Sequence, residues 1–348
     1  MRVLVLALLC CLHTIALLAD DGAASIAAGG LVLMKREPRI VMAKEVLEIG
    51  GAKVVVDYEF RNDSDEDITT VVAFPVPSYK FANRERSWGN PGFDDFKLMV
   101  GGTPVKFTVE ARAFVGKREI TAQLNREHID VTSFGHAETA TGVEGPPRDL
   151  ERTAPAGRQR LIAIGAFKDG YPNWRVEKKY YWTQTFPARG IVRIRHTYSP
   201  VLGGTNSVSY GLEAERERKK HRDKDEQYVI DEIDSLCLEP ALKNSLFRQS
   251  QRNDMQVPFS YVDFILTTAN TWKTPIEDFT LIVDRPKADP PRTTKTAAHP
   301  RSSAKLVSFC WDGPVERPDA THIRAHTTNF IPTKELRIGF ISIDPIDP

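Results

Sequence analysis

The chain predicts a mainly β protein, an antiparallel β-sandwich-like architecture with short helical insertions. Three observations predict it. Apolar residues recur with period two through many short segments; the clearest sets Val54, Val56, Tyr58 and Phe60 against Val55, Asp57 and Glu59. That period lines one face of a strand. Gly, Pro, Asn and Asp clusters punctuate these segments, as at Asn62, Asp63, Ser64 and Asp65, where turns need them. Stretches of helical character are confined to residues 121–167 and 213–246. Many short strands with such turns favour a sandwich.

The elements follow in order. Met1 and Arg2 lead into an apolar run over residues 3–18, then Ala19, then Asp20 and Asp21. A positive start, an apolar stretch and a small residue at the break make a signal peptide over residues 1–19. The reading is therefore an exported protein, periplasmic or extracellular. No later segment approaches the roughly 18–20 apolar residues that span a bilayer, so no membrane span is expected after cleavage.

Residues 54–60 read as a strand, and residues 68–76 as another that Pro75 and Pro77 should end. Residues 98–109 read as a hairpin about Gly101 and Gly102. Short helices are expected over 121–127 and 158–166. Val176, Tyr180, Trp182 and Phe186 mark a strand with Tyr181 on its other face. In the next, Val192, Ile194, His196 and Tyr198 alternate with Arg193 and Arg195. Residues 213–226 are nearly all charged and of mixed sign, which reads as a solvated helix or loop. A helix is expected over 239–246, beginning near Pro240. Strands over 261–268, 279–283, 305–310, 322–325 and 336–343 complete the set, with a Pro-rich polar loop over 285–304. The organisation expected is one domain over residues 20–348. Its two β lobes, about 40–212 and 258–345, would be joined by the charged helical segment 213–257.

Composition excludes some functions. The 348 residues carry a net charge of +1, so no global field draws the chain to nucleic acid. Cys10 and Cys11 leave with the leader, and the mature chain keeps Cys237 and Cys310. In an oxidising compartment two cysteines favour one disulfide, with two separate buried thiols the alternative.

Six segments resemble a known family: AAGGLVL at 27–33, VVDYEFRN at 55–62, SDEDITTVVAFP at 64–75, VEARAF at 109–114, YYWTQTFP at 180–187 and TTNFIPT at 327–333. They are similar to the bacterial secreted family catalogued as domain of unknown function 4424. The resemblance spans nearly the whole mature chain and implies a single domain family and an exported bacterial protein. It implies no reaction. Cys237 and Cys310 are similar in placement to a cysteine pair of that family, so the resemblance also implies the disulfide. The charged stretch after Leu212 and the Pro-rich loop after Asp284 look like insertions relative to it.

No catalytic signature stands out. The chain lacks a Gly-x-Ser-x-Gly elbow, a phosphate-gripping Gly-x4-Gly-Lys loop and a dinucleotide fingerprint. Gly203 and Gly204 read as a turn. His322 and His326 lie four apart on an expected strand, about 13 Å, too far for one ion. Asp94 with Asp95, and Asp231 with Glu232, follow no spacing rule for glycoside hydrolysis. Cys310 with His196 as base would make a nucleophile pair, but a disulfide removes the thiol. No catalytic residue, metal site or cofactor is therefore assigned. The expected ligand or partner surface is Tyr180, Tyr181 and Trp182 with Arg193 and Arg195, an aromatic platform beside cations; Trp88, Trp174 and Trp272 are its further aromatics. The expected function is a non-catalytic envelope or periplasmic protein that binds another envelope protein or a glycan, the alternative a periplasmic hydrolase acting on glycan or peptide.

Overall fold

A computed structural model describes residues 20–27, 30–33, 36–82, 93, 95–134, 150, 152–205, 212–213, 215–216, 227, 230–231, 233–253, 257, 259–286 and 304–343. Trp88, Asp94, most of the charged stretch 213–226 and most of the Pro-rich loop fall outside them.

The protein is mainly β. A six-stranded sheet runs in the order β2 (Gly30–Leu33), β1 (Gly22–Ala27), β5 (Ile68–Lys80), β12 (Arg175–Phe186), β8 (Thr108–Val115) and β9 (Arg118–Glu119). An eight-stranded sheet runs β18 (Val315–Glu316), β19 (His322–Phe330), β16 (Ile276–Asp284), β3 (Ile40–Ile49), β4 (Val54–Asn62), β13 (Ile191–Tyr198), β6 (Lys97–Val100) and β7 (Thr103–Pro104). A third sheet runs β14 (Gly203–Thr205), β15 (Phe259–Phe264), β20 (Leu336–Ile343) and β17 (Ala304–Phe309), and β10 (Phe167–Lys168) pairs with β11 (Tyr171–Pro172). The helices whose full span is described include α1 (Thr121–Arg126), α2 (Pro155–Ala163) and α3 (Pro240–Asn253). None of the described helices is long and apolar enough to cross a membrane.

The two large sheets face each other. Phe74, Tyr180 and Trp182 point inward from the first; Tyr58, Phe60, Ile194, His196 and Tyr198 point inward from the second. Their rings meet across the layer: Phe96 stacks on Tyr180 at 4.0 Å, and Phe74 and Trp182 lie 5.0 and 5.4 Å from His196. Pairing is antiparallel except where β16 joins β3 in parallel, Asp278 opposite Lys44 through Val283 opposite Ile49. Strands from both halves of the chain thus share one sheet. The third sheet turns Val262, Phe264, Ile338 and Phe340 toward this core. Phe259, Tyr261 and Ile341 pack instead with Leu236, Leu238 and Leu246 in a smaller cluster.

Several details differ from the sequence reading. The strand expected over 261–268 ends at Phe264, and Thr267–Thr271 forms a 3-10 turn instead. β5 runs through Pro75 and Pro77, because β1 pairs only with Val71, Val72 and Ala73. Beyond Ala73 that edge has no partner strand, where a proline removes no ladder bond. The turn at Gly101 and Gly102, with φ of 58° and 82°, closes a hairpin whose second arm is only β7; β8 then leaves for the opposite sheet. α3 extends to Asn253, well past Leu246. Gly203 and Gly204 lie in β14 rather than in a turn.

Gly203 has a steric reason to lack a side chain: an added Cβ would collide with the buried Tyr261 ring. Gly203→Ala is expected to cost about 1–3 kcal/mol by overpacking, read as a lower urea midpoint with an unchanged slope; an unchanged midpoint would show that the ring can yield.

Candidate functional site

A cleft of about 760 Å³ opens between the sandwich and the third sheet. Tyr79 and Phe93 line it from the sandwich, Tyr261 and Asp263 from β15, Arg337 from β20, and Trp311 and Glu335 from the segments flanking β17 and β20. Strand register builds its polar wall. Asp263 pairs with Arg337 across β15 and β20, so their side chains share a face. The guanidinium forks onto the carboxylate, Nε to Oδ1 at 2.6 Å and Nη2 to Oδ2 at 2.9 Å. It also donates to Ser235 Oγ at 3.2 Å and lies 3.8 Å over the Tyr261 ring. Such a fork holds Arg337 in one orientation.

Glu335 accepts from the Leu266 N–H at 2.8 Å and the Thr267 hydroxyl at 2.6 Å. Burial raises its pKa and these hydrogen bonds oppose the rise. Trp311 is the shared wall between this cleft and a second of about 320 Å³ that Phe330, Ile331 and His326 help line. Trp311 rests on Phe279 at 5.9 Å and Phe330 at 5.5 Å. It follows Cys310, which is bonded to Cys237, so the disulfide ties the cleft wall to the helical segment. Aromatic faces beside fixed polar groups of both signs suit a polar ligand carrying ring faces.

A second constellation lies inside the sandwich. Asp20, Asp21, Glu45 and His196 are all 0% exposed. The Asp20 Oδ1 accepts from the Tyr58 hydroxyl at 2.6 Å and from the Asp21 N–H at 2.8 Å. His196 Nε2 contacts Asp21 Oδ1 at 2.9 Å. Trp272 Nε1 donates to the Asp21 carbonyl at 2.6 Å. Burial pushes the pKa values of Asp20 and Glu45 well up, and each neighbouring carboxyl pushes further; Tyr58 pulls Asp20 down in part. Asp21 is raised by burial and pulled back by His196. None of these four residues lines the clefts described.

The residues singled out from the sequence separate. Tyr180 and Trp182 are core residues at 2% and 4% exposure, and Tyr181 lies on the outer face of its sheet beside Val71, Ala24 and Ala73. Arg193 and Arg195 lie on the outer face of the other sheet, paired with Glu59 at 2.8 Å and Asp57 at 3.4 Å. The two outer faces are on opposite sides of the sandwich, so the structure does not bring the five together. Trp174 and Trp272 are core residues at 0% and 1% exposure. Cys237 and Cys310 form the disulfide, which removes the thiol of the Cys310–His196 pair. His322 and His326 turn to separate acids, Asp319 at 2.8 Å and Asp278 at 3.0 Å.

Two functional features escaped the sequence reading. Glu45 alternates inward with Leu47 and Ile49, and an acid at an inward position of an apolar strand was the available signal. The Asp263–Arg337 clamp needs the register of two strands far apart in the chain, which no local pattern carries.

No curated protein matches this chain. Among solved structures, one described as a "putative nutrient binding protein" from Legionella pneumophila is similar at 14% identity, covering 93% of this chain and 71% of that chain with a TM-score of 0.40. Residues 19–338 match the family described as domain of unknown function (DUF4424), and the chain belongs to that family.

Proposed function

We propose that this chain is an exported, non-catalytic envelope protein that binds a glycan in the cleft beside Trp311. The observation that carries the reading is the cleft wall itself: Trp311 between two cavities, with Tyr261 capped by the Asp263–Arg337 clamp. Sugars present apolar ring faces to aromatic side chains and hydroxyls to fixed polar groups. The leader over residues 1–19 and the disulfide support export. Residues 20–348 act as one unit in this reading, since β16 and β19 complete the sheet that β3 and β4 begin.

A glycan array probed with the mature protein tests it. Trp311→Ala is expected to weaken the best hit by about tenfold or more, the loss of one stacking aromatic. Equal binding by the variant, or capture of an envelope protein with no glycan hit, would move the site elsewhere. Glu335 supports the second reading, a periplasmic hydrolase acting on glycan or peptide, because burial favours its protonated form as a general acid needs. Release of product from any array hit, abolished by Glu335→Gln, would establish that reading instead.

A further inference from the structure

The buried acid cluster lacks a cation. Asp20, Asp21 and Glu45 place three carboxyl groups at 0% exposure with His196 as the one basic side chain among them. Among the described residues Asp20 Oδ2, Asp21 Oδ2 and both Glu45 oxygens meet no N–H or hydroxyl donor, and Glu45 faces the Asp20 carboxyl, with which it can share a proton. Unpaired buried carboxylates are costly, and the cost falls only with a cation or a proton. Among the described residues no group of acids, histidines and cysteines is arranged to hold a metal ion. The backbone nitrogen of Asp20 donates to Thr268 Oγ1 and belongs to the residue whose own Oδ2 is unpartnered, and Asp20 is the residue after Ala19.

We propose that cleavage between Ala19 and Asp20 buries the new α-ammonium of Asp20 as the missing cation of the Asp20–Asp21–Glu45 cluster. The proposal rests on the export reading above. Signal peptidase hydrolyses the Ala19–Asp20 amide with one water, giving a carboxylate on Ala19 and an ammonium on Asp20. The peptide nitrogen has one hydrogen, already given to Thr268; the ammonium has two more and a full positive charge. Removal of the leader therefore completes the core, and the uncleaved precursor lacks that stabilisation.

The amine nitrogen contacts Thr268, and the titratable groups coupled to the acids beside it are Asp20 and Asp21 on its own segment, Glu45 from β3, Tyr58 from β4, and His196 and Tyr198 from β13, with Glu335 acting on Asp20 from farther off. The signs of the pH dependence follow. Without the amine, the carboxyls have raised folded pKa values, so their stabilisation is present at low pH and is lost as pH rises through those values. With the amine, one of the three carboxylates gains a cation partner and the rise of the carboxyl pKa values is reduced, while the ammonium's own pKa is raised above its unfolded value of about 7.7–8.0. Its stabilisation is full below that value and is lost at higher pH.

The test starts from the chain fractionated from its bacterium, by intact mass and N-terminal sequencing. An exported chain beginning at Asp20 is expected. A chain confined to the cytoplasm with its leader would overturn both this proposal and the export reading, whereas an exported chain that keeps its leader or begins elsewhere would overturn the proposal alone. The Asp20-starting protein is then pulsed with an amine-acylating reagent near neutral pH. Its α-amine is expected to react about 100-fold more slowly than in denaturant, as a group exposed only by opening; equal rates would overturn the proposal, as would a divalent ion retained in the native mass. A form with one alanine before Asp20 is expected to unfold at lower denaturant and to gain more stability from pH 7 toward pH 5 than the Asp20-starting form does over that window. Identical midpoints and profiles would contradict it.

Discussion

Trp272→Ala is expected to lose about 3–5 kcal/mol of stability, the range for truncating a buried aromatic. Trp272 is 1% exposed and packs on Phe60 at 4.7 Å and Phe186 at 6.2 Å. The substitution opens a cavity between the sheets and also strands the Asp21 carbonyl that its indole N–H satisfies. An unsatisfied buried acceptor adds to the cavity cost. Because folded domains retain only about 5–15 kcal/mol in total, much of the margin would go. A urea titration followed by far-UV circular dichroism checks this. A midpoint unchanged from wild type would mean that Trp272 does not hold the N-terminal segment in the core. Trp272→Phe separates the effects: it keeps most of the packing but leaves the carbonyl stranded, so an intermediate loss is expected.

Reducing the disulfide, or replacing Cys237 and Cys310 together by alanine, is expected to cost about 4 kcal/mol in the chain-entropy account. The bridge spans a sequence separation of 73 residues, and a loop that long gains much freedom in the unfolded chain when it is opened. The structural effect should be local. Leu236, next to Cys237, packs in the smaller cluster with Leu238, Leu246 and Ile341, and Ser308 donates to the Leu236 carbonyl at 2.7 Å. Hydrogen exchange should therefore quicken first in α3, β17 and the Trp311 wall, while β4, β5, β12 and β13 stay protected. Uniform loss of protection would show that the bridge supports the whole sandwich.

The parts of the fold that were legible in the sequence are those set by local period. β4 and β13 alternate cleanly, and each lies where its pattern places it, with His196 inward beside Ile194 and Tyr198. β5 was only half legible, because a proline's cost depends on whether a neighbour needs its N–H, and that is decided by how far β1 extends. β8 shows the same limit. Its apolar period is real, yet the sheet it joins is fixed by pairing with β12, Arg175 opposite Phe114. The aromatic run Tyr180, Tyr181, Trp182 showed that both faces of the strand are covered, but not that its inward rings meet the opposite sheet.

The candidate site was less legible for the same reason. Asp20 and Asp21 are polar residues at the end of an apolar run, so nothing local marks them as core. Their burial comes from contacts more than two hundred residues away along the chain, Asp20 with Thr268 and Asp21 with Trp272. The cleft is assembled in the same way, from Tyr79 and Phe93 early in the chain and from Tyr261, Trp311 and Arg337 late in it.

The most direct test of the binding reading is a crystal structure of the mature protein with the tightest-binding oligosaccharide from the array. The sugar is expected in the cleft, with a ring face on Trp311 and hydroxyls within hydrogen-bond reach of Asp263, Glu335 or Arg337. A sugar seated instead on the outer faces, beside Tyr181 or along Arg193 and Arg195, with the cleft empty, would contradict it.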